Sequence, residues 1–334
     1  MTVLISVRRR SASRLVGACA LLAAASAACD GGRSDPDRRA DSRDAVRIVA
    51  VTHGQSADPF WSVVSNGLSD AADDLGIRLE YQAPVSFDMV RMGELIEAAA
   101  ASRPSGLIVT IPDADALAGP IRAARAAGIP ILSINSGESA WQALGLLAHV
   151  GVNEYEAAFA AGERLARDGA RRVLCVNHEV GNLSLDERCR GLADALARAG
   201  GSASVLAVDL ADPDDARQRL LGALRAQPID GILTLGPSVT TSALAALAEH
   251  GGDDVVYGTF DLTADVLAAI DAGRMAFAID QQPYLQGYLA VVSLVKYLEA
   301  GVLAGGGQLV RTGPAFVTRE NAAAVIELAE RGIR

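Results

Sequence analysis

Polar side chains gather just past the ends of apolar runs: His53 to Trp61, Asn135-Ser136, Asn177-His178-Glu179, Gly236-Pro237-Ser238, Asp261, and Asp280-Gln281-Gln282. Their chemistry is carboxylate, amide and hydroxyl, with the aromatics Phe60 and Trp61 among them. A carboxylate accepts hydrogen bonds and a glutamine both donates and accepts, while an aromatic face can cover the C–H face of a sugar ring. Such a set suits recognition of an uncharged, hydroxyl-rich molecule better than bond-making chemistry. No nucleophile, base and orienter stand together, and the sequence has no G-x-x-x-x-G-K-[ST] loop, no G-x-G-x-x-G after its first strand and no G-x-S-x-G elbow. His53, His149, His178 and His250 have no i, i+4 partner and no cysteine at ligand spacing, so neither a metal nor a cofactor is expected.

Each candidate has a plainer reading. Asp58 before Pro59 is a good helix N-cap. Phe60 or Trp61 could be core, Asp261 could cap the helix that starts near Thr263, and Asn135 and Gln281 could be turn residues. Arg188, beside Asp186 and Glu187, reads locally as a solvated surface charge.

These tips need a scaffold. From Val46 onward, strands of three to six residues alternate with longer helices, which calls for parallel sheets built from right-handed crossovers. The spacing predicts strands over 47–52, 77–81, 106–111 and 131–134, then a second series over 150–152, 172–177, 204–208, 231–235 and 255–260. The run from Met275 to Ile279 reads as one more strand, ending in Asp280-Gln281-Gln282 before Pro283 opens a helix. Gly106-Leu-Ile-Val-Thr-Ile-Pro and the helix after it are echoed by Gly231-Ile-Leu-Thr-Leu-Gly-Pro, which argues for two similar lobes. In open α/β sheets ligands bind beyond the carboxyl ends of the strands, so two facing lobes would aim all the polar clusters into one cleft. The fold class expected is α/β, two Rossmann-like lobes with parallel sheets joined by a three-segment hinge. The N-terminal lobe takes 46–148 plus about 282–306, and the C-terminal lobe 149–281 plus about 307–334.

Residues 1–28 carry Arg8, Arg9, Arg10 and Arg14, then an apolar run from Leu15 to Ala25, then Ser26-Ala27-Ala28 before Cys29. That is the layout of an export signal, too short to span a bilayer stably. Cys29 after Ser-Ala-Ala resembles a lipobox cysteine, with an ordinary cleaved signal peptide as the alternative, and 29–45 reads as a disordered tether. The chain of 334 residues has 30 basic and 40 acidic residues, and without the four leader arginines its net charge is −14. This balance argues against a nucleic-acid partner. Cys175 and Cys189 remain after the leader, and the sequence reads them as packing thiols in preference to a disulfide.

Asp58-Pro59-Phe60-Trp61, Asp186-Glu187-Arg188 ahead of Gly191, Thr259-Phe260-Asp261 and Ile279-Asp280-Gln281-Gln282-Pro283 resemble, in the same order, motifs of the ribose-binding-protein-like periplasmic solute-binding proteins of ABC sugar importers. The resemblance implies the type I periplasmic binding protein fold. It implies a monomer that traps a sugar or polyol by hinge closure and presents it to an ABC permease in the membrane, from the periplasm or the outer face of the cytoplasmic membrane. It assigns Asp58, Phe60, Trp61 and Asn135 to the first lobe's share of the site, Arg188 and Asp261 to the second, and Gln281 to the hinge. Asn135-Ser136 stands where ribose binders have Asp-Arg, Ile111 replaces an Asn, and Gly236-Pro237 replaces Asn-Asp, which argues against ribose itself and leaves room for a less hydroxylated or alkylated sugar, or a polyol. A sensory subunit serving a membrane kinase or chemoreceptor is the alternative role. A transcription regulator would need a helix-turn-helix and a basic surface.

Overall fold

The computed structural model describes residues 46–54, 58–252 and 254–334, so the export signal and tether expected from the sequence, and Cys29 with them, lie outside the described residues. Two six-stranded sheets carry the fold. In the first, β1 (Arg47–Val51), β2 (Arg78–Gln82), β3 (Gly106–Val109), β4 (Ile131–Ile134), β5 (His149–Gly151) and β11 (Leu309–Arg311) lie in the order β11-β5-β4-β3-β1-β2. In the second, β6 (Arg172–Asn177), β7 (Ser202–Ala207), β8 (Gly231–Thr234), β9 (Val256–Phe260), β10 (Phe277–Asp280) and β12 (Ala315–Val317) lie in the order β12-β10-β9-β8-β6-β7. All pairings are parallel except that of β12 with β10. The echo between Gly106 and Gly231 falls on β3 and β8, the same place in each sheet.

Helices cover both faces of each sheet. α1 (Pro59–Leu75), α2 (Met89–Ala101), α3 (Ala114–Ala126) and α9 (Pro283–Ala300) serve the first. α4 (Glu154–Arg167), α5 (Leu183–Arg198), α6 (Pro213–Ala226), α7 (Thr240–His250), α8 (Ala264–Asp271) and α10 (Ala323–Glu330) serve the second. The central strands are largely apolar because both faces are covered, as in β3 (Gly-Leu-Ile-Val) with every residue buried, whereas the edge strands β2 and β7 keep exposed positions. Pro120 sits in the interior of α3, beyond the first turn.

The lobe boundaries move relative to the sequence reading. β5 pairs with β4 and with β11, so the strands at 149–151 and 309–311 belong to the first sheet, and the chain crosses between lobes just after each of them. A strand followed by a helix looks the same whether the chain changes lobe before or after the strand. The crossings fall at about 152–153, 281–282 and 312–314.

The reading of Cys175 and Cys189 as packing thiols is also corrected, because they form a disulfide with Cα atoms 5.8 Å apart. Cys175 points from β6 toward the face that α5 covers, and Cys189 lies in the buried stripe of that helix, which brings the Cα atoms within bridging range.

Candidate functional site

Asp58, Phe60, Trp61, Asn135, Arg188, Asp261 and Gln281 all line one cavity between the carboxyl ends of the two sheets. It encloses about 330 Å³ of space between atoms, counting the solvent at its mouth. Contacts join its walls directly. Ser238 Oγ of the second lobe lies 3.3 Å from Asp58 Oδ1 of the first, and the Leu183 N–H donates to the Pro112 carbonyl at 2.9 Å. The cleft is closed.

From the first lobe, Asp58 is both N-cap and wall: its Oδ1 accepts from the Phe60 N–H at 3.1 Å while burial raises its pKa. Phe60 and Trp61, edge to face at 5.0 Å, belong to the core beneath α1 and also face the cavity. Gly54 makes room for this, since a Cβ there would lie 2.1 Å from the Trp61 ring. Asn135 follows β4 with φ 59° and accepts from the Ser136 hydroxyl at 3.0 Å.

In the second lobe Arg188 is a buried cavity residue, only 3% exposed. Its Nε donates to Glu154 Oε2 at 2.6 Å and its Nη1 to the Leu235 carbonyl at 2.7 Å, and the guanidinium lies 4.0 Å from the centre of the Phe260 ring. Burial opposes its charge, but Glu154, with Asp261 and Glu179 beside it, more than offsets that and raises its pKa. Close approach of α4 and α5 makes the pair possible: a Cβ on Gly191 would lie 2.3 Å from the Tyr155 carbonyl. The helix stripe therefore turns Arg188 inward, although its neighbours in sequence are acidic and polar.

Asp261 follows β9 with φ 66° and does not cap α8, whose N-cap is Thr263. Gln281 Nε2 donates to both of its oxygens, at 3.0 and 2.9 Å. Desolvation pushes the Asp261 carboxyl well above the usual carboxylate range, against the pull of Arg188. Gln281 Oε1 and His178 Nδ1 are buried with no partner among the described residues.

His53, His178 and Glu179 also line the cavity, although they were not singled out from their clusters. Their signal was the strand-tip position itself. Glu154, the partner of Arg188, had no signal, because the cross-helix contact that defines it is non-local. His178 explains the Gly236-Pro237 departure: a Cβ on Gly236 would meet His178 Cε1 at 2.7 Å, so the imidazole fills the room of a side chain. Burial lowers the pKa of His53 and of His178 to about 3, and raises that of Glu179 to about 7. Among the described residues no group of three or more His, Cys, Asp and Glu could hold a metal ion, and no helix is long and apolar enough to cross a membrane.

The crystal structure of a carbohydrate transporter from Acidothermus cellulolyticus in complex with myo-inositol superposes with a TM-score of 0.82 at 38% identity, covering 86% of this chain and 99% of that one. The xylose/arabinose-binding protein XylF of Sulfolobus acidocaldarius is 25% identical over 82% of this chain and 71% of its own length. The ribose import binding protein RbsB of Escherichia coli is 24% identical over 77% of this chain and 86% of its own. The periplasmic binding protein domain matches residues 48–301, which takes in the strands that deliver each wall of the cleft, and the chain belongs to that family.

Proposed function

We propose that the chain is the extracytoplasmic solute receptor of an ABC importer and that it closes on a neutral ring bearing several hydroxyls, a cyclic polyol or a monosaccharide. The observation that carries this reading is the wall chemistry. Asp58, Glu179 and Asp261 offer acceptors, Arg188 offers donors, and the buried, unpaired Gln281 Oε1 and His178 Nδ1 await partners in the same cavity. An unsatisfied buried polar atom costs about 1–3 kcal/mol, which a ligand hydroxyl would recover. Phe60 and Trp61 would take the C–H face of the ring while Asn135 and Asp261 take hydroxyls from opposite lobes. The myo-inositol complex of the 38% identical carbohydrate transporter and the pentose ligands named for the curated relatives support this ligand class.

Because the ligand touches both lobes only when they meet, it shifts the open–closed equilibrium toward the closed form, which a permease can tell from the open one. Cys29 would be the lipidated residue that holds the receptor at the membrane surface, with 30–45 as its tether. A thermal-shift screen of the mature protein against neutral polyols, pentoses and hexoses tests the reading, since ligand that binds only the folded state raises stability. A concentration-dependent rise with at least one of them is expected, and no rise with any of them overturns it.

A further inference from the structure

A polar chain crosses the cleft without any ligand. Thr110, just past β3, presents its Oγ1 2.9 Å from the His53 backbone N–H and 2.8 Å from His53 Nδ1. On the far side of the ring, His53 Nε2 lies 3.4 Å from Asn182 Nδ2 of the second lobe. The same Asn182 amide donates at 2.7 Å to Glu179 Oε2. Asn182 Oδ1 is committed to capping α5, accepting from the Ser184 N–H at 3.0 Å, so the NH₂ end must face His53 and Glu179. His53 Nε2 then has to accept, its proton sits on Nδ1 toward Thr110, and the ring is neutral. All four residues are buried.

We propose that Thr110, His53, Asn182 and Glu179 form an interlobe clasp that stabilises the closed cleft by itself and requires the neutral form of His53. The clasp goes beyond the ligand reading, needing two lobes that part but no particular solute. It sets how closed the empty receptor is, and therefore how much of the ligand's binding energy closure consumes.

The clasp also couples closure to protons. His53 faces Glu179, whose Oε2 lies 3.7 Å from its Nε2, together with His178 and Arg188 of the second lobe and the Trp61 and Phe87 rings of the first, and Glu179 also faces Asp58 and Arg188. In the closed form burial holds His53 at about 3 and Glu179 at about 7, while opening returns them to water and toward their ordinary 6.5 and 4.5. Closure therefore expels a proton from His53 below pH 6.5 and captures one on Glu179 between 4.5 and 7. Between 4.5 and 6.5 the two effects cancel, and below 4.5 only that of His53 remains. Closure then weakens about tenfold per pH unit.

The test uses ligand-free protein carrying one spin label on each lobe, with the inter-label distance distribution read from pH 7.5 to 4. For the wild type a substantial closed population is expected, flat from about pH 6.5 to 4.5 and falling below. At pH 6, His53→Ala and Asn182→Ser, the latter keeping a helix-capping hydroxyl, should each lower the closed-to-open ratio about fivefold, the worth of a typical buried hydrogen bond. Glu179→Gln should move the onset of acid opening up to near 6.5, the ordinary value for histidine. Variants with the wild-type closed fraction, an unmoved onset in Glu179→Gln, or a wild type open at every pH would each overturn the clasp. His53 follows β1, while Glu179 and Asn182 share the connection from β6 to α5, so a failure of His53→Ala to fold leaves the other two decisive, and the reverse. With no solute present, the outcome is independent of what the cleft binds.

Discussion

Asn135 and Asp261 stand at equivalent places in the two lobes. Each is the first residue beyond its strand, β4 or β9, each lies in the left-handed region with φ 59° and 66°, and both face the same cavity. Asn and Asp are the non-glycine residues that tolerate this conformation best, so the backbone and the chemistry select the same side chains. A left-handed turn at a strand tip swings the side chain over the end of the sheet, and each lobe uses it once to reach into the cleft.

Substitutions at these twins should separate strain from recognition. Asn135→Val and Asp261→Val force a branched side chain into the left-handed region and should lower unfolding free energy by about 1–3 kcal/mol. Asn135→Gly and Asp261→Gly should leave stability within about 1 kcal/mol of wild type, yet still weaken binding of any ligand found in the screen by about tenfold or more. Urea titration and calorimetry read the two effects, and Gly variants with full affinity would remove these residues from the site.

Arg188 and Glu154 form a buried charge pair, side chains 4% and 5% exposed. Removing one partner strands the other, so Arg188→Met and Glu154→Met should each lower stability by about 3–5 kcal/mol, measured by chemical denaturation. A combined Arg188→Met, Glu154→Met variant should recover much of that loss, because no uncompensated charge remains. A double variant as unstable as the sum of the single ones would contradict the pairing.

His149, buried at the start of β5, shares a 2.9 Å hydrogen bond with Ser133 Oγ through its Nδ1, and burial lowers its pKa to about 3 from 6.5. The folded state thus binds fewer protons than the unfolded one below pH 6.5, and stability due to the neutral ring is present above that pH and lost as pH falls toward 3. The advantage of wild type over His149→Gln should shrink by about 1.4 kcal/mol per pH unit below 6.5. Urea midpoints of both proteins at pH 7, 6 and 5 check this, and a constant gap would contradict it.

The disulfide closes a loop of 14 residues between the strand whose end supplies His178 and Glu179 and the helix that supplies Arg188. A Cys175→Ala, Cys189→Ala variant should lose about 3 kcal/mol on the loop-entropy scale. Thiol titration of the unfolded, unreduced protein should find both sulfurs blocked, and two free thiols would contradict the bond.

Much of this was legible in the chain. Alternating strands and helices announced parallel sheets, and polar residues at strand tips announced where those sheets would meet a ligand. The crossings were less legible because β5 and β11 take their lobe from pairing partners that are distant in sequence. β12, three residues after a short loop and antiparallel to β10, left no periodic trace. Arg188 was ambiguous because its surroundings in sequence are solvated while its surroundings in space, Glu154, Leu235 and Phe260, are not. The disulfide needed the helix register over β6, which no local pattern encodes.

The most direct test is calorimetric titration of the mature protein and of its Asp261→Ala variant with myo-inositol, xylose, arabinose and ribose under identical conditions. Saturable one-to-one binding of at least one of these by the wild type, weakened about tenfold or more in the variant, is predicted. Equal affinity in both proteins, or no binding of any neutral polyol or sugar by the wild type, would contradict a cleft whose walls grip a hydroxyl-bearing ring.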